Sequence, residues 1–362
     1  GFYAGNYPNR SLKWEETNSY NIGLDLALFD NRVELIADAY YKKTDNLLMQ
    51  ASLPTYVSGL IGAPWVNAGA MTNKGVEFTL NTRNILTHDF TWTSGLTFSI
   101  NRNEVTKLYS ESSAISGING NETLTYTMVG EPVGQFYGYK VIGMFKEESD
   151  FYKKDADGNF QLDEAGNRIR IAIPKGQQIS KNGIWVGDYI YEDLHEDGVI
   201  DEKDRTFLGN PAPKFTFGFN NYFAYKGFDL NIFLNGSVGN KAVNLIRRTF
   251  TDPMRNSNLL KEATDIALIG MHDPEVGDEE LSNVYIVNAD RAKVQRVTTS
   301  SANDNNRISS RFIEDASYLR IKNISLGYTF PRKWLRHLQI DNIRLYVNIQ
   351  NLCTISGYKG YD

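Results

Sequence analysis

Apolar and polar residues alternate along several stretches of this chain, which is the pattern of a β-strand with one apolar face. In KFTFGFNNYFAYKG (214–227), the apolar positions are mostly phenylalanine and the intervening ones are mainly threonine, glycine and asparagine. The stretch FDLNIFLNGS (228–237) alternates in the same way, after the short turn KGFD. Two alternating stretches separated by a short turn predict a β-hairpin.

The same alternation recurs along most of the sequence. Nine segments carry it or are otherwise typical of strands: 20–28, 33–42, 76–81, 90–100, 132–145, 214–225, 228–235, 324–330 and 343–350. Helical periodicity is nearly absent, and only NLLKEATDIALIG (258–270) is typical of a short helix. The sequence therefore predicts an all-β protein made of long hairpins.

The lengths of the connections favour one all-β architecture. Short turns (FDNR, NILTHD, KGFD, PRKWLRHLQID) alternate with long stretches (50–66, 106–131, 146–212, 244–316). Short turns at one end and long loops at the other are typical of an antiparallel transmembrane β-barrel, whose long loops are extracellular. Aromatic residues near strand ends, such as Tyr41 and Tyr225, suit the membrane interface. A soluble β-sandwich, with the apolar face inside, is the alternative.

Strand direction assigns most loops to a side. If the short turns are periplasmic, segment 90–105 runs outward and segment 213–226 runs inward. The region 106–212 is then one long extracellular excursion. Segment 132–145 conflicts with this parity as a single extra crossing, so we expect it to belong to the excursion or to be one of a pair.

Composition excludes several classes of protein. The 362 residues have a net charge of -5, 12% aromatic residues, a mean hydropathy of -0.40 and one cysteine, Cys353. Without a basic stripe we expect no nucleic-acid partner, and one cysteine excludes an internal disulfide framework. No apolar run is long enough for a transmembrane helix, and GFYAGNYPNR lacks the apolar stretch of a signal peptide, so we expect neither in these residues. The four histidines are scattered and no catalytic motif is found, so we expect no enzyme.

The stretch DLHEDGVIDEKD (193–204) has the spacing of an EF-hand calcium loop. Side chains of Asp193, Asp197, Asp201 and Asp204, with the carbonyl of Val199, are the predicted ligands of a Ca²⁺ ion. Two positions depart from the motif, because histidine stands at loop position 3 and aspartate, not glutamate, at position 12. A solvated acidic turn is the alternative. The nearby KKDADGNFQLDEAGN (153–167) is more typical of two turns around a short strand.

Ligand-binding residues are not identifiable from the sequence. The aromatic residues of the long loops include Trp65, Trp185 and Tyr285, each of which either stacks on a ligand or packs its own loop. The stretch RRTFTDPMR clusters Arg247, Arg248 and Arg255, which either favours an anionic ligand or forms a solvated loop.

Six segments, in this order, resemble the SusC/RagA family of TonB-dependent outer-membrane transporters of Bacteroidota. They are LKWEETNSYNIGLDLALFDNR (12–32), NKGVEF (73–78), GEPVGQFYGYKVIGMF (130–145), GDYIYEDLHEDGVIDEKDRTFLGNPAPKFTFGFN (187–220), IEDASYLRIKNISLGYTFP (313–331) and NIRLYVNIQNLCTISGYKGYD (342–362). The resemblance covers most of the chain except the long loops. It implies that residues 1–362 are the C-terminal part of the barrel, about half of a 22-stranded one, and that the plug domain and signal peptide lie outside this chain.

The resemblance also implies a function. We expect an integral outer-membrane barrel, surrounded by lipid, that imports oligosaccharides or peptides. A SusD-like surface lipoprotein would be its partner at the external loops, and TonB would act through the missing plug. A soluble carbohydrate-binding or adhesive β-sandwich and a passive porin are the alternatives.

Overall fold

The computed structural model describes residues 8–50, 64–109, 114–120 and 122–361. Its largest element is an eight-stranded antiparallel sheet with the strand order β1-β2-β3-β4-β13-β14-β19-β20. The strands are β1 (Glu16–Leu28), β2 (Val33–Gln50), β3 (Trp65–Leu86), β4 (Phe90–Lys107), β13 (Phe215–Tyr225), β14 (Phe228–Val238), β19 (Tyr318–Thr329) and β20 (Arg344–Ser356).

The eight strands follow each other across this sheet in chain order, and each is antiparallel to its neighbour. The connections 29–32, 87–89, 226–227 and 330–343 meet at one end of the sheet, and the three long ones leave from the other end. Lys226 and Gly227 both have positive φ, which is the backbone of the tight turn whose twist matches the flanking strands. The predicted contrast between short and long connections is thus observed.

The two faces of the sheet differ in chemistry. Registered pairs such as Phe223 with Trp92 and Leu230 put the apolar positions of neighbouring strands on one face. That face is exposed, with Ile22 at 74% and Val347 at 66%. Asparagine, threonine and charged residues occupy the opposite face. An exposed apolar face this wide needs an apolar medium around it.

The described residues of the two longest connections, 108–214 and 239–317, form what we call the cap. It holds the remaining strands in five small sheets. These strands are β5 (Ala114–Asn119), β6 (Glu122–Met128), β7 (Gln135–Tyr139), β8 (Val141–Met144), β9 (Ile173–Pro174), β10 (Tyr189–Tyr191), β11 (Val199–Ile200), β12 (Arg205–Gly209), β15 (Lys241–Val243), β16 (Ile269–Met271), β17 (Val284–Ile286) and β18 (Ile313–Asp315).

Helices are few and short. There are two α-helices, α1 (Leu245–Phe250) in the cap and α2 (Arg332–Leu335) in the last short connection, among the residues described. The 3₁₀ turns are Glu148–Phe151, Glu202–Asp204, Lys261–Asp265, Leu281–Asn283, Ser310–Phe312 and Arg336–Leu338. Within the described ranges, no helix has both the length and the apolar character to cross a membrane.

The cap has a hydrophobic core of its own. Phe145 and Phe151 are buried and stack with ring centroids 4.0 Å apart. Ile184 and Val186 from the first connection and Val284 from the second are buried in the same cluster. Both connections contribute to one core, so they pack as one unit.

Of the nine segments predicted as strands, eight form the large sheet of the described residues, and 132–145 forms β7 and β8 inside the cap, in agreement with the expectation that it belongs to the excursion. The parity conflict disappears with it. The predicted helix at 258–270 is only a 3₁₀ turn at Lys261–Asp265, followed by β16 from Ile269.

Candidate functional site

The predicted calcium loop lies in the cap, directly after β10. The carboxylate of Asp204 is buried and accepts hydrogen bonds from the backbone N–H of Leu194 at 2.9 Å and of Asp201 at 2.8 Å. The Asp201 carboxylate accepts from the N–H of Lys203 at 2.8 Å, at the start of the 3₁₀ turn. His195 stands beside Asp204, with Nδ1 3.7 Å from Oδ1.

The first half of the same loop is closed in a similar way. Gly198 has a φ of +80° and donates its N–H to Asp193 Oδ2 at 3.0 Å, and Val199 donates to Asp197 Oδ1 at 3.1 Å. Asp193 Oδ1 is buried without a hydrogen-bond partner. Across the described ranges, no three carboxylate, histidine or cysteine side chains are arranged to hold a metal ion. In the structure the amides of the loop donate to its carboxylates. Calcium binding at 193–204 therefore stays a prediction.

The neighbouring stretch 153–167 forms the two predicted turns. Asp155 accepts from the N–H groups of Asp157 and Asn159, and Asp163 accepts from those of Ala165 and Asn167. The backbone hydrogen bond from Asn159 is the main reason that the pKa of Asp155 is lowered from its ordinary value. These turns are complete without a ligand.

A buried ion pair joins the two halves of the cap. Arg296 Nε lies 3.0 Å from Asp188 Oδ1, and both side chains are buried. Arg296 also donates to the carbonyl of Gly183 at 2.8 Å, and Asn305 Nδ2 donates to Asp188 Oδ1 at 2.8 Å. Because the pair is fully hydrogen-bonded across the two connections, it fixes their relative position.

Tyrosine hydroxyls continue this network. Tyr189 donates to the carbonyl of Lys293 at 2.8 Å, and Tyr191 donates to the carbonyl of Asp304 at 3.1 Å. Burial raises the pKa of both tyrosine hydroxyls well above the ordinary value. The guanidinium of Arg307 lies over the ring of Tyr191 at 4.7 Å. These contacts stiffen the cap and leave the tyrosines in their neutral, hydrogen-bond-donating form.

The three loop aromatics considered as ligand contacts, Trp65, Trp185 and Tyr285, lie in different environments. Trp185 is 2% exposed in the cap core, whereas Trp65 begins β3 and is exposed. Tyr285 stacks on His272 with centroids 4.6 Å apart. Of these three, only Trp65 is exposed and available to a ligand.

The arginine cluster is also engaged. Arg247 Nε lies 2.7 Å from Glu262 Oε2, and its Nη1 lies 3.2 Å from Glu314 Oε1. The hydrogen bond from Arg247 is the largest of the causes that lower the pKa of Glu262. Arg248 pairs with Glu122, and Arg255 lies over Phe250 at 5.3 Å. Arg247 and Arg248 therefore hold the cap together and are not free for an anionic ligand.

A polar and aromatic cavity of about 470 Å³ opens where the sheet meets the cap. Tyr318 and Arg320 of β19 line it together with Thr354 and Ser356 of β20. The register puts these four side chains on the polar face. Arg320 lies over the ring of Tyr318 at 5.2 Å and donates to Thr354 Oγ1 at 2.9 Å.

The rest of this cavity comes from the cap and from the chain after β20. Ala242 and Ala316 lie on the cap side, and Tyr358 and Tyr361 follow the last strand. Aromatic rings beside hydroxyls and a guanidinium suit a ligand with apolar faces and many polar groups. Sequence reasoning missed this cavity, although the alternation around 318–320 already indicates that Tyr318 and Arg320 share the polar face.

A family model described as "TonB dependent receptor-like, beta-barrel" matches residues 1–352. The chain belongs to the TonB-dependent receptor β-barrel family. The exposed apolar face of the sheet is then the lipid-facing wall of an outer-membrane barrel, and the polar face lines its lumen. The prediction of a partial antiparallel transmembrane barrel is confirmed.

Curated relatives of this TonB-dependent receptor chain are similar over its whole length. It is 34% identical to TonB-dependent receptor P3 of Formosa agariphila and 26% identical to TonB-dependent receptor SusC of Bacteroides thetaiotaomicron. It spans 32% and 31% of the lengths of these two proteins. The chain thus spans about a third of the length of the curated relatives it matches.

Solved structures agree with the fold. The structure described as the RagAB peptide transporter superposes with a TM-score of 0.72 and 23% identity, over 98% of this chain and 33% of the matched one. The RagAB peptide importer in an open-open state gives a TM-score of 0.67. The chain therefore has the fold of a segment of these receptors.

Proposed function

We propose that this chain is the lumen-lining, cap-bearing part of a TonB-dependent importer of oligosaccharides or peptides. The observation that carries the proposal is the cavity lined by Tyr318, Arg320, Tyr358 and Tyr361 where the lumen meets the cap. Tyrosine rings stack on the apolar faces of sugars, and the guanidinium and hydroxyls bind either sugar hydroxyls or peptide carbonyls. The role is binding and transport, not catalysis.

Substrate contact at this cavity is tested by uptake measurements on the full-length receptor. Tyr318→Ala and Tyr358→Ala should each weaken uptake of labelled substrate at low concentration about tenfold or more, with less effect at saturation. Tyr346→Ala is the matched control, because Tyr346 lies on the same face at the opposite end of β20. Equal uptake by all three variants and the wild type would show that the cavity does not contribute to transport.

The substrate class is decided by growth. A deletion strain complemented with the full-length receptor should regain growth on either glycans or peptides as the limiting nutrient. Loss of that growth in cells lacking TonB or treated with a protonophore would support energised import. Undiminished uptake under both treatments would support the passive porin instead.

The proposed partner is a SusD-like lipoprotein that binds the cap. The supporting observation is that the cap is a packed unit and not a set of loose loops, so it offers a fixed surface. A co-purification experiment with the full-length receptor tests this. The substitution Arg296→Met, which disturbs the buried pair, should reduce recovery of the lipoprotein, and unchanged recovery would argue against docking through an ordered cap.

The loop 193–204 remains a proposed Ca²⁺ site. The supporting observation is that Asp193 Oδ1 is buried without a hydrogen-bond partner. A buried carboxylate oxygen needs a partner, and a bound cation would be one. Calorimetric titration of the intact receptor with Ca²⁺ should give saturable heat that Asp197→Ala abolishes. Absence of heat, with no effect of Asp197→Ala on thermal stability in Ca²⁺, would overturn this assignment.

A further inference from the structure

The connection 330–343, between β19 and β20, differs from the other short connections of the sheet. It folds into α2 and a following 3₁₀ turn, whereas the connections 29–32, 87–89 and 226–227 contain no helix. Its sequence PRKWLRHLQID carries three permanent cations, Arg332, Lys333 and Arg336, against one carboxylate, Asp341. It is therefore a basic helical segment at the short-turn end of the sheet.

The side chains described in this segment divide into buried and exposed ones. Leu335 is buried, whereas the three cations and Trp334 are exposed. Arg332 pairs with Asp341 at 2.8 Å, and both of these side chains remain largely exposed. The segment is thus attached through Leu335 and presents its charge and its indole outward.

A continuous series of aromatic rings joins this segment to the lipid-facing wall. Phe228 and Tyr328 occupy paired positions on the apolar face, with ring centroids 4.5 Å apart. Tyr328 contacts Phe330 at 5.1 Å, and Phe330 contacts Trp334 at 6.4 Å. Trp334 is 57% exposed at the end of this series. The basic residues therefore lie beside the membrane-facing surface and not beside the lumen.

The lumenal side at this end is different. Arg344, which follows the connection, pairs with Asp229 through Nε at 3.1 Å on the polar face. Lys226 of the neighbouring short turn lies over the ring of the lipid-facing Tyr225 at 5.2 Å. Lys226 and the basic segment thus lie on the outer side, at the level of the aromatic rings, whereas Arg344 is paired on the lumenal side.

We propose that residues 330–343 are a membrane-interface anchor that binds the headgroups of anionic phospholipids in the leaflet at the short-turn end of the barrel. Tryptophan prefers the level of the headgroups because its ring is apolar and its N–H is polar. Lysine and arginine at that level are attracted to anionic headgroups. The inference rests on the membrane location of the barrel and is independent of the transported substrate.

The test uses fluorescence quenching of the full-length receptor in lipid nanodiscs. The emission of Trp334 is obtained as the difference between wild type and Trp334→Phe. Brominated phosphatidylglycerol should quench this emission more strongly than brominated phosphatidylcholine at equal content. High salt should remove the difference, because it screens the headgroup attraction.

Neutralisation of the cations gives the second part of the test. Local enrichment of the anionic lipid should fall about fivefold for each cation removed, so Arg332→Gln, Lys333→Gln and Arg336→Gln together should equalise the two lipids. The matched control, Arg168→Gln, Arg170→Gln and Lys175→Gln, removes three exposed cations of the cap and should keep the difference.

Two results would overturn the anchor. Equal quenching by both lipids in the wild type would show that the segment has no preference for anionic headgroups. Absence of quenching by either lipid would show that the segment faces water or another protein. If the triple variant fails to assemble, the salt titration of the wild type and the single Lys333→Gln variant decide the same question.

Discussion

The sheet and the cap differ in how they shield their apolar groups from water. The sheet leaves residues such as Ile22 and Val347 exposed on one face, so lipid must complete its packing. The cap buries Phe145, Phe151 and Val284 in a core of its own, as a small water-soluble domain does. One chain therefore contains two regions whose stability depends on different surroundings.

The difference is also visible in the polar groups. In the sheet, backbone hydrogen bonds between neighbouring strands satisfy the amides, and side-chain polarity is confined to the lumenal face. In the cap, side chains add to these backbone bonds: Asp188 accepts from the amide of Trp185, and Arg296 of the second connection donates to carbonyls of the first connection. The cap is thus held by specific contacts and the sheet by its repeating register.

The largest effect is expected from a cavity in the cap core. Phe151→Ala removes a fully buried ring stacked on Phe145, which should cost about 3–5 kcal/mol of cap stability. Hydrogen exchange of cap amides in the full-length receptor measures this loss. Phe223→Ala, which removes a lipid-facing ring of the sheet, should leave exchange in the cap unchanged. Equal losses of cap protection in Phe151→Ala and Phe223→Ala would contradict the conclusion that the cap has a core separate from the sheet.

Breaking the buried ion pair should be nearly as severe. Arg296→Met leaves the Asp188 carboxylate buried without its partner, which should cost about 3–5 kcal/mol of cap stability. Exchange should rise in both cap connections and not in the sheet. Adding Asp188→Leu should recover part of the loss, because no uncompensated charge then remains. A further loss in the double variant would mean that the pair is not the main contact.

A charge on the lipid face tests the other half of the comparison. Ile232→Arg places a cation on the apolar face of β14 and should cost about 2–4 kcal/mol of barrel stability in lipid. Asn231→Arg, one residue away on the lumenal face, should cost less than about 1 kcal/mol. Equilibrium unfolding of the receptor from vesicles measures both. Similar costs would mean that the two faces have been assigned wrongly.

The smallest expected effect is a dependence of cap stability on pH. The Arg247 guanidinium lowers the pKa of Glu262 below its ordinary value of 4.5. The pair therefore stabilises the cap fully above pH 4.5, and this contribution is lost as the pH falls through the lower, folded-state value. It should amount to less than about 1 kcal/mol, since the pair is partly solvated.

Cap exchange measured against pH detects this contribution. Glu262→Gln should remove the corresponding part of the acid-induced loss while leaving protection at lower pH unchanged. Thr264→Ala, in the same 3₁₀ turn, is a control that keeps the carboxylate. An identical pH profile for Glu262→Gln and wild type would exclude the pair as its source.

The sheet could be predicted from the sequence because its two environments impose a period of two residues. Positions such as Phe223 and Leu230 face lipid and their neighbours face the lumen, so the strand signal is repeated along the chain. The sequence alone also predicts a strand at 132–145, because GQFYGYKVIGMF is as apolar and aromatic as a strand of the large sheet. In the structure, Tyr139 and Met144 from this stretch are buried in the cap core instead.

The cap and the cavity could not be predicted in the same way. The contact between Asp188 and Arg296 joins residues more than a hundred positions apart, and no local pattern indicates it. Trp185 and Tyr285 resembled ligand-stacking aromatics because exposure is not encoded by residue type. The cavity lined by Tyr318 and Tyr361 requires the position of the chain after β20 relative to the sheet.

The large sheet contacts lipid with one face and lines an aqueous lumen with the other. Nitroxide labels at each position of 229–235 in β14, in the full-length receptor reconstituted in vesicles, test this assignment directly. We expect accessibility to oxygen to be high at 230, 232 and 234, and accessibility to a water-soluble nickel reagent to be high at 229, 231, 233 and 235. Low accessibility of 230, 232 and 234 to both reagents, as in a covered sandwich core, would contradict the account.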